Sequence, residues 1–218
     1  VQDGMRRMFA EQEDIFYYIT VMNENYEHPE MPAGAEADIL KGMYAFRKGA
    51  DKDGPRVQLL GSGTIFNEVI AAAELLREDW GVESDLWGVP SFNELARDGH
   101  DVERWNLLHP MEEPKKTHLQ QKLAGNEGPV VAATDYIRMF PEQVRSQLDR
   151  TYITLGTDGF GRSDTREKLR HFFEVDRYWV TLAALKALAD DGLIDRAKVA
   201  AALVKYELDP NKPNPVTV

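Results

Sequence analysis

The feature that most limits the fold is an alternation that begins near residue 57, where apolar segments, Gly or Ser turns and amphipathic segments follow one another. This order is typical of parallel strands joined by crossover helices. It predicts an α/β fold with a mostly parallel sheet. The predicted strands are residues 57–60, 85–89, 130–134 and 152–155. The predicted helices are residues 65–79, 92–106, 141–148, 165–173, 177–190 and 196–205.

Two of these helices begin with the spacing of a capping box. Ser91 precedes Glu94 by three residues, and Asp164 precedes Glu167 by three residues. In each pair the first side chain can accept a hydrogen bond from a free amide of the first turn. Helix starts are therefore expected at Ser91 and Asp164.

The amino-terminal region differs from this pattern. Residues 1–12 read as a helix, and residues 15–22 read as a strand because they are rich in β-branched and aromatic side chains. Residues 28–34 carry two prolines and read as a linker. Two domains are therefore predicted, residues 1–32 and 33–218. Residues 35–48 fit a helix and a strand equally well.

Charge and composition limit the classes of partner. The 218 residues have a formal net charge of −11, which disfavours nucleic acid because phosphate binding needs a basic surface. The apolar runs are too short to cross a membrane. There is no cysteine, so disulfides and thiolate chemistry are excluded, and a cytoplasmic protein is expected. The first residue is not Met, which suggests a fragment of something longer.

A glycine-containing turn follows the first predicted strand and precedes a helix, where amides can hold an anion. It lacks the third glycine of a dinucleotide fingerprint and the Lys-Ser/Thr pair of a P-loop. A structural turn is the simpler interpretation, and a weak anion contact is the alternative. The candidate anion turn consists of Gly61, Ser62, Gly63 and Thr64.

A second candidate follows the last predicted strand, at the end where parallel sheets bind ligands and partners. Its glycines could instead serve only to permit positive φ, Asp164 could cap the next helix, and Arg162 could pair locally. The two interpretations have equal weight. The candidate contact loop consists of Asp158, Gly159, Phe160, Gly161, Arg162, Ser163 and Asp164.

Other catalytic constellations find no support in the sequence. The five histidines include no pair at helical metal-ligand spacing, and Ser62 lacks the setting of a nucleophile elbow. The charged stretch from Glu94 to His109 reads as a solvated or interface helix. We therefore assign no catalytic, cofactor-binding or metal-binding residue to this chain.

Several longer segments carry a specific resemblance. Residues 17–26, 57–63, 91–99, 103–106 and 155–164 resemble the bacterial homodimeric pyruvate dehydrogenase first component, a member of the transketolase-like thiamine-diphosphate enzymes. The resemblance covers essentially the whole chain. It implies the carboxy-terminal quarter of such a subunit, with a fold like the transketolase carboxy-terminal domain. Residues 1–32 would then be the tail of the middle, pyrimidine-binding domain.

The resemblance also implies what the intact enzyme does. It would use thiamine diphosphate and magnesium to decarboxylate pyruvate and reductively acetylate the lipoyl group of a partner dihydrolipoyl acyltransferase. The expected partners are the remaining domains of the subunit, a second subunit and the acyltransferase. The cofactor lies between the first two domains in this family, so the chain alone is expected to bind neither thiamine diphosphate nor magnesium. Its expected role is dimer assembly.

Two other functions stay open. The acidic surface and the charged helix are compatible with an interaction module that docks other subunits of a multienzyme complex. The candidate anion turn is compatible with a regulatory domain for a small anionic metabolite.

Overall fold

The computed structural model describes residues 1–23, 25–51 and 53–218. It divides into two compact units, Val1–Met31 and Pro32–Val218. Among the described residues, no helix has the length and apolar composition needed to cross a bilayer.

The first unit contains helix α1 (Gln2–Met5), which continues as a π-helical turn (Arg6–Ala10). Within this unit the Arg7 guanidinium contacts the Glu13 carboxylate at 2.6 Å and donates to the Tyr17 hydroxyl at 3.0 Å. The strand predicted at residues 15–22 is wrong, because the described part of this unit contains no β-strand. A strand needs a second segment for its backbone hydrogen bonds, and the described residues of the unit supply none.

The second unit is built on a five-stranded sheet, which confirms the predicted α/β class. Its order is β1-β3-β2-β4-β5, with β1 antiparallel to β3 and the other pairs parallel. The stretch at residues 35–48 contains both a short helix, α2 (Glu36–Leu40), and the antiparallel strand. The strands are β1 (Tyr44–Arg47), β2 (Arg56–Gly61), β3 (Glu83–Gly88), β4 (Val130–Ala133) and β5 (Tyr152–Leu155).

The remaining helices largely follow the predicted bounds. One helix was not predicted, α5, whose start carries a complete capping box between Thr117 and Gln120. The helices after α2 are α3 (Ile65–Trp80), α4 (Phe92–Leu108), α5 (His118–Leu123), α6 (Met139–Glu142), α7 (Arg166–Phe172), α8 (Arg177–Asp190) and α9 (Arg196–Lys205).

The single helix predicted at residues 141–148 is wrong. The chain forms the short helix α6 and then a separate 3-10 turn, Arg145–Gln147, before it becomes extended at Leu148. The buried Gln147 side chain donates to the Leu95 carbonyl oxygen at 3.0 Å. This contact lies 52 residues away in the chain, so it is a tertiary contact that local periodicity does not report.

Of the two predicted caps, one is confirmed and one is wrong. Ser91 accepts a hydrogen bond from the Glu94 amide at 3.1 Å. The Glu94 carboxylate, however, pairs with Arg97 within the helix. At the second site the cap is Thr165, which accepts from the Lys168 amide, while Asp164 accepts from the Thr165 amide at 2.7 Å.

Both faces of the sheet are buried. Helices α3, α8 and α9 cover one face, and α4 and α5 cover the other. Successive strand residues point to opposite faces, so Leu59 of β2 lies in the first core and Leu60 in the second. Strands buried on two faces read as continuous apolar runs, which is why they were recognisable in the sequence.

Glu68, in the first turn of α3, ties that helix to α7 and α8. Its buried carboxylate accepts from the Arg177 amide at 3.0 Å, from Arg177 Nε at 2.9 Å and from Arg170 Nη1 at 3.3 Å. Burial opposes ionisation, but the hydrogen bonds and charges of Arg177 and Arg170 outweigh it and hold the pKa of Glu68 below its ordinary value.

Glu68→Gln tests this buried cluster. Removing one partner of a buried ionic group leaves the others unpaired, so we expect the free energy of unfolding to fall by about 2–3 kcal/mol in chemical denaturation. Because the pKa of Glu68 is lowered by folding, this loss should shrink as the pH falls below the ordinary glutamate pKa and through the lowered one.

The matched control is Glu74→Gln on the same helix. The Glu74 carboxylate pairs with Arg47 and Arg77 at the exposed surface, so its loss should cost less than about 1 kcal/mol. Equal losses in the two variants would show that the Glu68 cluster does not hold the helices together.

Candidate functional site at the carboxyl edge of the sheet

The candidate anion turn lies where β2 ends and α3 begins, as predicted. Its backbone is anchored to the neighbouring strands: the Ser62 amide donates to the Ala133 carbonyl oxygen at 3.1 Å, and the Gly61 carbonyl oxygen accepts from the Val89 amide at 2.9 Å. Gly63 has φ +60°, which a residue with a side chain rarely adopts. The turn is therefore held in one conformation by the strands on either side.

A carboxylate already lies against this turn. Asp135 follows β4, and its Oδ1 atom would be only 3.0 Å from a Cβ added to Gly63. The Thr64 side chain hydrogen-bonds the same carboxylate. The amino end of a long helix attracts negative charge, and here an acidic side chain of the protein already lies beside it.

The environment of Asp135 changes its acidity. Burial raises the pKa of its carboxyl above the ordinary value. Its own backbone hydrogen bond, the hydrogen bond from Thr64 and the positive charge of Arg170 offset only part of that effect. Asp135 is thus a half-buried acid that binds its proton more tightly than a solvated aspartate does.

The segment after β4 also joins the turn to the candidate contact loop. The Thr157 hydroxyl donates to the Asp135 carbonyl oxygen at 2.6 Å, and the Thr157 amide donates to the Tyr136 carbonyl oxygen at 2.8 Å. The Asp158 carboxylate accepts from the Arg138 amide at 3.1 Å and forms an ion pair with the Arg138 guanidinium. The two candidate sites, distant in sequence, therefore lie on either side of one connecting segment.

The rest of the candidate contact loop is exposed, and several of its groups have local partners. Gly159 has φ +103°, and a Cβ there would lie 2.6 Å from the Pro215 carbonyl oxygen, so the loop packs on the carboxy-terminal tail. Arg162 lies over the Phe172 ring at 4.8 Å. The positive φ predicted for the loop is confirmed at Gly159 but not at Gly161.

A recess of about 280 Å³ is lined by residues of α4 and α5 and by the end of α2. The buried His118 ring in it has Nε2 2.8 Å from the Met43 carbonyl oxygen, and its amide donates to Asp98 at 2.5 Å. The sequence predicted a solvated or interface helix for the charged stretch of α4, although the spacing of its charged residues could have located this recess. The lining residues are Leu40, Lys41, Glu94, Arg97, Asp98, Asp101, His118 and Gln121.

Thiamine diphosphate with magnesium would need free amides for its phosphates and several oxygen ligands for its metal. At the carboxyl edge the Asp135 side chain already lies against the turn, so a diphosphate would have to displace it. Within residues 1–23, 25–51 and 53–218, no three His, Cys, Asp or Glu side chains are grouped so as to hold a metal ion. The described residues at this edge do not fit the cofactor.

Comparison with known proteins adds the following findings. Residues 42–176 match the family model of the transketolase-like carboxy-terminal domain, and residues 1–29 match that of the pyruvate dehydrogenase E1 component middle domain. The chain is 73% identical over 100% of its length to the pyruvate dehydrogenase E1 component of Cupriavidus necator, and 57% identical over 99% to that of Pseudomonas aeruginosa. It spans 24% and 25% of those two relatives.

Among solved structures, transketolase from Leishmania mexicana aligns with 72% of this chain at 16% identity and a TM-score of 0.48, over 20% of its own chain.

Asp135→Asn tests the buried acid. Because folding raises the pKa of Asp135, the wild-type chain gains stability from this group at low pH and loses it as the pH rises through the raised pKa. Asparagine keeps the shape and does not titrate. We therefore expect the urea midpoint of the variant, relative to wild type, to rise between about pH 4 and pH 7.

Asp149→Asn is the control, since the Asp149 side chain is 96% exposed. Its midpoint relative to wild type should change little over the same range. A flat pH dependence for Asp135→Asn would contradict the assignment of a buried acid at this turn.

Proposed function

Since the match over residues 42–176 places this chain in the transketolase-like carboxy-terminal domain family, we propose that it is the carboxy-terminal part of a pyruvate dehydrogenase E1 component. The observation that carries the proposal is the 73% identity to the Cupriavidus necator protein of that name along the entire chain. The chain spans about a quarter of that relative, so the activity belongs to the longer polypeptide.

The proposed activity of the longer polypeptide is decarboxylation of pyruvate on thiamine diphosphate with magnesium, followed by reductive acetylation of a lipoyl group on the partner acyltransferase. The name of these relatives, pyruvate dehydrogenase E1 component, supports this activity. The proposed assembly is a homodimer. A cytoplasmic location stays a prediction, which is based on the lack of cysteine.

The chain is proposed to contain parts of two domains. Residues 1–32 are assigned to the tail of the middle domain and residues 33–218 to the carboxy-terminal domain. The middle-domain match over residues 1–29 and the division of contacts between Met31 and Pro32 support this boundary. Phe16 and Tyr18 are exposed in the described unit, as expected for a segment whose packing partners lie elsewhere in the polypeptide.

The proposed role of residues 33–218 is assembly rather than chemistry. The carboxylate beside the candidate anion turn disfavours a diphosphate, and it equally disfavours the regulatory alternative in which this turn binds an anionic metabolite. A domain of this kind contributes to catalysis by keeping distant groups in register, where displacements of about 1 Å reduce rates. The proposed contact loop, Asp158 to Asp164, lies at an edge suited to such contacts.

The proposal is tested with three preparations assayed in parallel for pyruvate decarboxylation and for mass in solution. They are the intact polypeptide, the same polypeptide ending at residue 32, and the present chain alone, each with added thiamine diphosphate and magnesium. We expect activity and a dimer for the intact polypeptide, and loss of activity by at least about a hundredfold with loss of the dimer in the truncated form.

The outcomes separate the parts of the proposal. Turnover by the present chain alone would contradict the assembly role and require a second active centre. A truncated form that is dimeric and fully active would show that residues 33–218 are dispensable for assembly. Lack of pyruvate decarboxylation by the intact polypeptide would contradict the proposed activity itself.

A further inference from the structure

The recess beside α4 brings charged groups of three helices together. Its α4 residues are spaced three or four positions apart, so they share one face of that helix. They are Glu94, Arg97, Asp98 and Asp101. The lining also includes His118 of α5 and Lys41 at the end of α2. All these groups belong to the second unit, so its packing fixes where they lie.

A buried histidine ring presents one of its nitrogens to this recess. The His118 side chain is only 6% exposed, and its Nε2 atom lies 2.8 Å from the Met43 carbonyl oxygen. A carbonyl oxygen can only accept, so Nε2 carries a hydrogen and Nδ1 of the neutral ring holds a lone pair. Nδ1 has no partner among the described residues, and the enclosed atoms without a partner there are Gln147 Oε1 and Trp179 Nε1. Nδ1 is therefore not enclosed, and it opens to the recess that the ring lines.

Two charges of the recess also lack a partner. The side chains of Asp101 and Lys41 are exposed, and in the part of the chain that the structure describes neither forms an ion pair or a hydrogen bond. Arg97, by contrast, pairs with Glu94 within α4. The recess thus offers an unpaired carboxylate from α4 and an unpaired ammonium group from the end of α2.

The acceptors of the recess match a primary ammonium group, which has three N–H donors. The carboxylates of Asp98 and Asp101 and the Nδ1 atom of His118 can accept from it. A metal ion is the competing cation, but no three His, Cys, Asp or Glu side chains of the described ranges are grouped to hold one. The lining carries three carboxylates and two cations, so an anion alone fits it less well.

We propose that this recess binds a free amino acid. The ammonium group of the ligand is held by Asp98, Asp101 and His118 Nδ1, and its carboxylate pairs with Lys41. The volume of about 280 Å³ is just below the usual range of small-molecule sites, about 300–1,000 Å³, which suits a ligand of this size. Leu40, which is 53% exposed, adds apolar surface for the ligand's side chain. The inference does not depend on the proposed pyruvate chemistry.

Isothermal titration calorimetry on the intact polypeptide tests this site, with each of the standard L-amino acids as a probe. We expect at least one of them to bind with a dissociation constant of about 1 mM or tighter. Two analogues of that amino acid then separate its charges: the amine that lacks the carboxylate, and the acid that lacks the amino group. Each analogue should bind at least about tenfold more weakly, because each leaves a charge of the recess unpaired.

Asp101→Asn and Lys41→Gln locate the binding. Both side chains are exposed, so the variants should keep the wild-type unfolding midpoint. We expect each variant to weaken amino acid binding by about tenfold or more. Glu103→Gln is the matched control, since Glu103 is also exposed and lies on the opposite side of α4 from Asp101. It should bind the amino acid as the wild-type polypeptide does.

Each other outcome overturns the proposal. No binding by any of the amino acids would show that the recess is not a site of this kind. An amine analogue that binds as tightly as its amino acid would contradict the role of Lys41. Binding that survives both Asp101→Asn and Lys41→Gln would lie elsewhere in the polypeptide. Equal weakening in Glu103→Gln would show only an effect of net charge.

Discussion

Burial of strand β2 on both faces organises the larger unit. Leu59 faces the core formed with α3, α8 and α9, and Leu60 faces the core formed with α4 and α5. Strand β2 is also central in the sheet, because it pairs in parallel with β3 on one edge and with β4 on the other. Parallel pairing aligns the carboxyl ends of the strands, so the turns that follow them lie at one edge. The position of both candidate sites is a consequence of this pairing.

At that edge the Asp135 carboxyl group limits what the glycine turn before α3 can bind. A glycine turn leading into a long helix is an arrangement that proteins use to hold phosphates, but Asp135 lies beside Gly63 and bonds to Thr64. The helix end is thus supplied with negative charge from a neighbouring strand. An arrangement that could bind a ligand contributes instead to internal structure, because an anionic ligand would have to displace the Asp135 side chain from its place beside Gly63.

The exposed apolar side chains of the two units have a common explanation in the proposed function. Phe16 and Tyr18 lie in a segment without a strand partner among the described residues, and Phe160 and Met139 lie at the sheet edge. In a polypeptide about four times longer, as the relatives are, such side chains have further surfaces to pack against. The Glu68 cluster is different in kind, since all its ionic partners lie within the second unit, and it holds α3, α7 and α8 together.

The sequence by itself determined the four parallel strands and most helices of the second unit, because strands buried on both faces read as apolar runs and helices show a local period of 3.6. It also placed Gly61–Thr64 and Asp158–Asp164 after strands. Only the tertiary structure decided that Asp135 lies against the turn and that Arg138 binds Asp158 of the candidate contact loop, because these partners are distant in sequence. The helix predicted at residues 141–148 and the strand predicted at residues 15–22 were wrong for related reasons. The predicted helix is interrupted where the Gln147 side chain bonds to the Leu95 carbonyl oxygen, 52 residues away in the chain. The predicted strand would need hydrogen bonds from a second segment, which the described residues of the first unit do not supply.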